Sequence, residues 1–170
     1  MTASYNEHVR GARDVSGRCA VLTLSDTRTA ETDKSGKRIR ELLEANGHAV
    51  THYRVLPDDA EALSRELDGL LVRADLDAVF TNGGTGVSRR DQTVAVVERT
   101  IEQPLPGFGE LFRMLSWEQI GSGAMLSRAA GGIARGKPVF AMLGSTAAVE
   151  LAMTKLILPE LKHLLHELRK

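Results

Sequence analysis

"LDAVFTNGGTGVSRRDQTVAVVERTI", residues 76–101, compresses the fold into one line. Its first seven residues, 76–82, are mostly apolar and β-favouring, and predict a short strand. The strand runs directly into a loop with glycines at Gly83, Gly84 and Gly86, followed by Arg89, Arg90 and Asp91. Val94, Val97 and Ile101 then recur at helical spacing, predicting a short helix that stops near Pro104. Strand, tight turn and helix form the repeating unit of a parallel α/β sheet.

The same alternation continues on both sides. "CAVLTLS" (19–25), "HAVTHYRVL" (48–56) and "KPVFAMLGS" (137–145) read as further strands. A helix over 35–46 carries Ile39, Leu42 and Leu43 on one face and ends at Asn46-Gly47. Another opens after Pro57-Asp58-Asp59 with a stripe of Leu63, Leu67, Leu70 and Leu71. A third spans 106–121 with Leu111, Phe112, Met114 and Leu115 as its apolar positions. The C-terminal stretch is helical with a break at Pro159, whose ring cannot continue a regular turn. The expected architecture is a three-layer α/β/α sandwich with a mostly parallel sheet. A polar, mobile tail over 1–17 precedes one domain over 18–170.

Composition excludes several classes of function. Lys and Arg number 22 against 22 Asp and Glu, so no overall field attracts a polyanion. Aromatic residues make up only 4% and supply no base-stacking platform, so no nucleic acid partner is expected. No apolar run reaches the roughly 18 residues of a membrane span, and residues 1–17 lack the apolar core of a secretory signal. The lone Cys19 sits in an apolar run and reads as packing, and Met114, Met125, Met142 and Met153 read as core filler. A cytoplasmic location is expected.

In open parallel sheets, ligands bind beyond the carboxyl ends of the strands. Four polar or glycine segments fall there: Ser25-Asp26, Pro57-Asp58-Asp59, residues 82–91 and Gly144-Ser145. The glycine loop is not a dinucleotide fingerprint, because Arg89 stands where the last glycine belongs and the loop follows the third strand. A Walker A lysine is also missing. Two readings remain, a plain tight connection or a nest of backbone N–H groups for an anion, ahead of a helix and beside Arg89 and Arg90. Asp58, three residues before Glu61, reads first as a helix cap and second as a candidate ligand for a hard cation. Thr93 is placed to cap the next helix, which leaves Asp91 free for a cation or a substrate. Asp26 reads as a turn residue or a third acid, and Arg128 as a surface residue or an anion contact. All five histidines fall outside these segments, so any chemistry here works without a histidine base.

"LSDTRT" (24–29), "DKSG" (33–36), "NGGTGVSRRDQT" (82–93), "PGFGELFRMLS" (106–116), "AMLSRAAGG" (124–132) and Gly144-Ser145 resemble, in order, the signature segments of the MoaB/MogA family of molybdenum cofactor biosynthesis proteins. "FRMLSWEQIG" (112–121) is more similar to the MoaB branch. The resemblance implies Mg²⁺-dependent adenylylation of molybdopterin by ATP, preparing it for metal insertion. The alternative is a pterin-binding or assembly protein that transfers nothing. It implies that Asp58 and Asp91 are the catalytic, metal-holding carboxylates. Gly83, Gly84, Thr85, Gly86, Arg90, Gly144 and Ser145 would bind nucleotide and phosphate, and Asp26, Ser127 and Arg128 would line the pterin side. It also implies a homo-oligomer, trimer or hexamer, and contacts with other molybdenum cofactor biosynthesis proteins. The chain departs from the family pattern at Val94-Ala95, where many members carry Pro-Glu, and at Leu143, where proline is common.

Overall fold

Alternation along β1 (Arg18–Leu24) divides the molecule into two cores. Cys19 and Val21 face one side of the sheet, and Ala20 and Leu22 the other. Parallel partners flank this strand, β2 (Ala49–Leu56) on one side and β3 (Ala78–Asn82) on the other. Beyond β3 lies β6 (Lys137–Met142), also parallel. Two antiparallel strands, β5 (Ala130–Ala134) and β4 (Gln103–Pro104), complete the order β2-β1-β3-β6-β5-β4. The structure, a computed structural model, describes residue 12 and residues 14–170. Most of the expected tail over 1–17 lies outside the described residues. Within it, Gly17 is buried and donates its amide to His48 Nδ1 at 3.1 Å.

Helices cover both faces. On the Cys19 side lie α1 (Lys34–Ala45), and, after α2 (Ala60–Leu71) and α3 (Thr93–Thr100) on the other side, α4 (Pro106–Ile120), α5 (Thr146–Ala152) and α6 (Leu158–Leu168). The predicted leucine stripe of α2 is fully realised: Leu63, Leu67, Leu70 and Leu71 are all buried, each stabilising the fold by roughly 2 kcal/mol. Phe80 and Phe140 stand opposite each other in register on β3 and β6 and stack at 5.8 Å, with Phe108 of α4 edge-on to Phe140 at 5.0 Å. The break expected at Pro159 takes the form of a π-helical turn, Met153–Ile157, with Pro159 in the first turn of α6. The wider turn absorbs the hydrogen bond that proline cannot donate.

Three expectations need correcting. Strand β5 was not anticipated, because Ala130-Gly131-Gly132 has no strand propensity of its own. Its small residues answer to crowding: a Cβ on Gly131 would lie 2.7 Å from the Phe140 ring, and one on Gly132 would lie 2.4 Å from Ile101. Of the methionines read as filler, Met142 and Met153 are buried but Met114 and Met125 are exposed. The cap of α2 is Asp59, which accepts from Ala62 N at 2.7 Å, and not Asp58.

Candidate functional site

Thr23 pairs with Asn82, Leu24 with Leu56, and Asn82 with Met142, so the four parallel strands end side by side. The segments that follow them meet along one rim. Gly83 and Gly84 turn the chain here with φ of +90° and +58°, a region that residues with a side chain rarely adopt. Space also demands glycine. A Cβ on Gly83 would lie 2.3 Å from the Leu24 carbonyl oxygen, and one on Gly84 would lie 2.4 Å from both Asp58 Oδ1 and Thr93 Oγ1. A Cβ on Gly86 would stand 2.7 Å from Asp91 Oδ2. The bare backbone is therefore what admits both acids to the turn.

The two acids are held differently. Asp91 Oδ2 accepts from Ser88 N at 2.9 Å; the Ser88 hydroxyl first, then the amides of Ser88 and Gly86, hold its carboxyl below the usual carboxylate range against its partial burial. The expectation that Asp91 has no structural work is corrected: it closes its own loop. Thr93 does not cap α3, whose cap position is Gln92 without a side-chain bond. Asp58, released from capping, is half-buried, and among the described residues its carboxylate accepts no hydrogen bond. Burial raises its pKa, and the nearby charges of Asp91 and Asp26 raise it further against the opposing pull of Arg90. Among the described residues no three acids, histidines or cysteines form a ligand cluster. Two carboxylates that repel each other beside a donor-rich turn fit Mg²⁺, which takes one or two protein carboxylates and completes its shell with water and phosphate.

Asp26 knits the rim together. Its Oδ1 accepts from Asp58 N at 3.1 Å and its Oδ2 from the exposed Arg90 at 2.5 Å. On the far side, Arg128 donates from Nη1 to the carbonyls of Gly86 at 3.0 Å and Asp91 at 3.4 Å, so it clamps the loop. Ser127 is buried beside it at the end of a 3₁₀ turn over Gly121–Leu126. Gly144 packs so closely that its Cβ would lie 3.0 Å from Gly83 Cα, and Ser145 caps α5 by accepting from Ala148 N. Thr85 is buried within the turn. Every residue expected at the site therefore lies on this rim or on the segments packed against it.

Sequence reasoning gave no role to a second layer beneath the rim. Asp33, 2% exposed, accepts from Thr23 Oγ1, Tyr53 Oη, Ser35 Oγ and Gly36 N within 3.0 Å. Burial alone would raise its pKa, but these four donors outweigh it and the net shift is downward. The Ser35 hydroxyl shares its one proton between Asp33 and Asn82 Oδ1, 2.7 Å away, while Arg28 links Ser35 Oγ at 2.7 Å to the Gly144 carbonyl at 3.0 Å. The network joins α1 to the ends of β1, β3 and β6. In the sequence it shows only as the segment 33–36, whose Asp33 caps a helix.

The histidines among the described residues lie elsewhere, while His8 falls outside the described residues. His52 meets Glu66 at 2.7 Å, and the buried His48 ring, held neutral by its burial, serves Gly17. Cys19 is likewise buried, its thiol pushed up to about 12. A concave groove of about 520 Å³ between α4 and α6 is lined by Leu105, Phe108, Leu111, Ile157 and Leu164 and by none of the rim residues.

Residues 20–163 match the family model described as "Probable molybdopterin binding domain". "Molybdenum cofactor biosynthesis protein B" of Halalkalibacterium halodurans is 52% identical over 154 residues, 90% of this chain and 91% of that protein. A crystal structure of a molybdenum cofactor biosynthesis protein B superposes with a TM-score of 0.89 at 51% identity, covering 91% of this chain and 97% of the other. The tungsten cofactor synthesizing protein MoaB from Pyrococcus furiosus superposes at 0.77 with 34% identity, over 91% and 98% of the two chains. Matches that span nearly the whole of both chains, rim segments included, make this chain a member of the MoaB/MogA family of molybdenum cofactor biosynthesis proteins.

Proposed function

We propose that the chain is an Mg²⁺-dependent molybdopterin adenylyltransferase, joining the α-phosphate of ATP to the terminal phosphate of molybdopterin and releasing pyrophosphate. The observation that carries this reading is the meeting of Asp58 and Asp91 at the side-chain positions left open by Gly84 and Gly86. Mere pterin binding would not need two acids that repel each other, whereas gripping a cation with a triphosphate does.

The chemistry asks little of the protein beyond placement. Molybdopterin's phosphate is anionic at neutral pH, so its oxygen attacks the α-phosphorus without a general base, in keeping with a rim that, among the described residues, holds no histidine. A new P–O bond forms as the bond from the α-phosphorus to the bridging oxygen breaks, and the electron pair departs with pyrophosphate. Mg²⁺, held by Asp58 and Asp91, would neutralise phosphate charge. Within the turn over 83–86, where Gly83 N is bonded to Met142 O and Gly86 N to Asp91, the amides of Gly84 and Thr85 cradle the phosphates, and Arg90, exposed on its long stem, reaches them from its bond to Asp26. Gly144 and Ser145 bound the same cleft, with Asp26, Ser127 and Arg128 on the pterin side.

A homo-oligomer, trimer or hexamer, belongs to the same proposal, as do a cytoplasmic location and contacts with other cofactor-assembly proteins. Leu111, Met114, Trp117 and Ile120 of α4 are all exposed and continue into Met125 and Leu126, an apolar ridge suited to a protein partner. Among the described residues no helix is long and apolar enough to cross a membrane.

Incubation with molybdopterin, Mg²⁺ and α-labelled ATP tests the reading. Label appearing on the pterin supports transfer. Pterin that stays bound and unlabelled would instead make the chain a binding or assembly protein.

A further inference from the structure

Thr93 poses a question that the fold alone does not answer. It is the first residue of α3, 2% exposed, and its hydroxyl oxygen is buried with no hydrogen-bond partner among the described residues. A buried hydroxyl without a partner destabilises the protein that carries it, and the neighbours Val94, Val96 and Val97 fill this core without one. Capping does not explain it, because Thr93 sits one position past the cap and its oxygen accepts nothing. Its backbone is committed to the glycine turn, with Thr93 N donating to Gly84 O at 3.0 Å.

The hydroxyl points at the space above Gly84. A Cβ there would lie 2.4 Å from Thr93 Oγ1 and 2.4 Å from Asp58 Oδ1, so the two oxygens flank one open position. One is a donor without an acceptor and the other a carboxylate without a donor, each the complement of what the other lacks. A small rotation of either side chain brings them into hydrogen-bond contact across a residue that has no side chain to prevent it.

We propose that Thr93 is a positioning residue, its hydroxyl donating to the Asp58 carboxylate when Mg²⁺ and ATP occupy the cleft. The inference rests on the adenylyltransferase reading for the ligand and on the Thr93–Gly84–Asp58 juxtaposition for the residue. The unpartnered hydroxyl is then a contact held in reserve for the ligand-bound cleft.

Calorimetric titration of Mg·ATP into the wild type, Thr93→Val, Thr93→Ser, Asp58→Asn and the Asp58→Asn/Thr93→Val double variant tests this, with thermal melts of each protein alone. Thr93→Val is expected to melt at or above the wild-type temperature and to bind Mg·ATP roughly tenfold more weakly, the loss of one bond to a charged group. Thr93→Ser restores binding to within about twofold of wild type, as it keeps the donor. In the Asp58→Asn background Thr93→Val adds little, because its effect passes through Asp58. Wild-type affinity in Thr93→Val, a marked drop in its melting temperature, or full additivity in the double variant would overturn the role of Thr93 while leaving the adenylyltransferase reading standing. A wild type that binds no Mg·ATP would overturn both.

Discussion

Asp26 holds the backbone amide of Asp58 at 3.1 Å with one carboxylate oxygen, leaving the other for Arg90. A residue after β1 thus fixes the backbone after β2 and restrains a side chain after β3, and the rim depends on this one bridge. Asp26→Ala should release Asp58 and Arg90 together and lower kcat/KM by roughly 10- to 100-fold, as loss of charge-assisted bonds of this kind does. Asp26 and Arg90 are exposed and Asp58 is only half-buried, so the melting temperature should move by no more than a few degrees. Unaltered steady-state kinetics would show that the bridge plays no part in the reaction.

Asp58 should behave as a residue kept for function at the expense of stability. Its folded pKa is raised, by burial first and then by Asp91 and Asp26, so its ionised form destabilises the fold above that pKa. Asp58→Asn is therefore expected to melt higher than wild type at neutral pH. The gain should shrink as pH falls through the folded pKa and vanish once the carboxyl is protonated in both the folded and unfolded states. Transfer should fall by roughly 100- to 1000-fold, the size of effect seen when one electrostatic contact to a reacting group is lost. Melting curves across pH, paired with the label assay, check both halves.

Asp91 has two jobs that different variants separate. Its pKa is lowered by the bonds from Ser88 and Gly86, so its ionised form stabilises the loop above the usual carboxylate pKa, an effect lost as pH falls through the folded value. Asp91→Asn keeps an oxygen for Ser88 N and should fold normally while transfer is abolished. Asp91→Ala loses the loop bond as well and should also expose residues 86–91 to faster hydrogen exchange. Turnover at the wild-type rate in Asp91→Asn would remove this residue from the mechanism.

The alternation of apolar strands and leucine-striped helices made the three layers legible, because burial on two faces imprints itself on sequence as period and length. The convergence of segments at the strand ends followed from topology alone. What escaped was decided by contacts between distant residues. Strand β5 carries Gly131 and Gly132 because the Phe140 and Ile101 side chains leave no room for more there. The choice of Asp59 over Asp58 as cap is a shift of one position that spacing cannot resolve. The Asp33 network joins residues up to 116 positions apart, and none of its members stands out by type.

Asp33 should prove to be the structural keystone of that layer. Asp33→Asn would set an amide N–H₂ against hydroxyl donors and is expected to cost about 3 kcal/mol, a drop of roughly 6–12 °C in melting temperature for a chain of this size. Tyr53→Phe removes one donor from a partly exposed position and should cost about 1 kcal/mol. Since the folded pKa of Asp33 is lowered, the stability it supplies is present above the usual carboxylate pKa and lost as pH falls through the folded value. A Asp33→Asn melting temperature equal to wild type would refute the assignment.

The central claim is that a cation and a triphosphate are gripped together by two acids and a glycine turn. A crystal structure of the protein grown with Mg²⁺ and a non-cleavable ATP analogue tests it most directly. The account predicts phosphate density within hydrogen-bond distance of the amides of Gly84 and Thr85, and a cation contacting Asp58 and Asp91. Nucleotide bound in the α4–α6 groove, or phosphates at the turn with both carboxylates directed away from them, would contradict it.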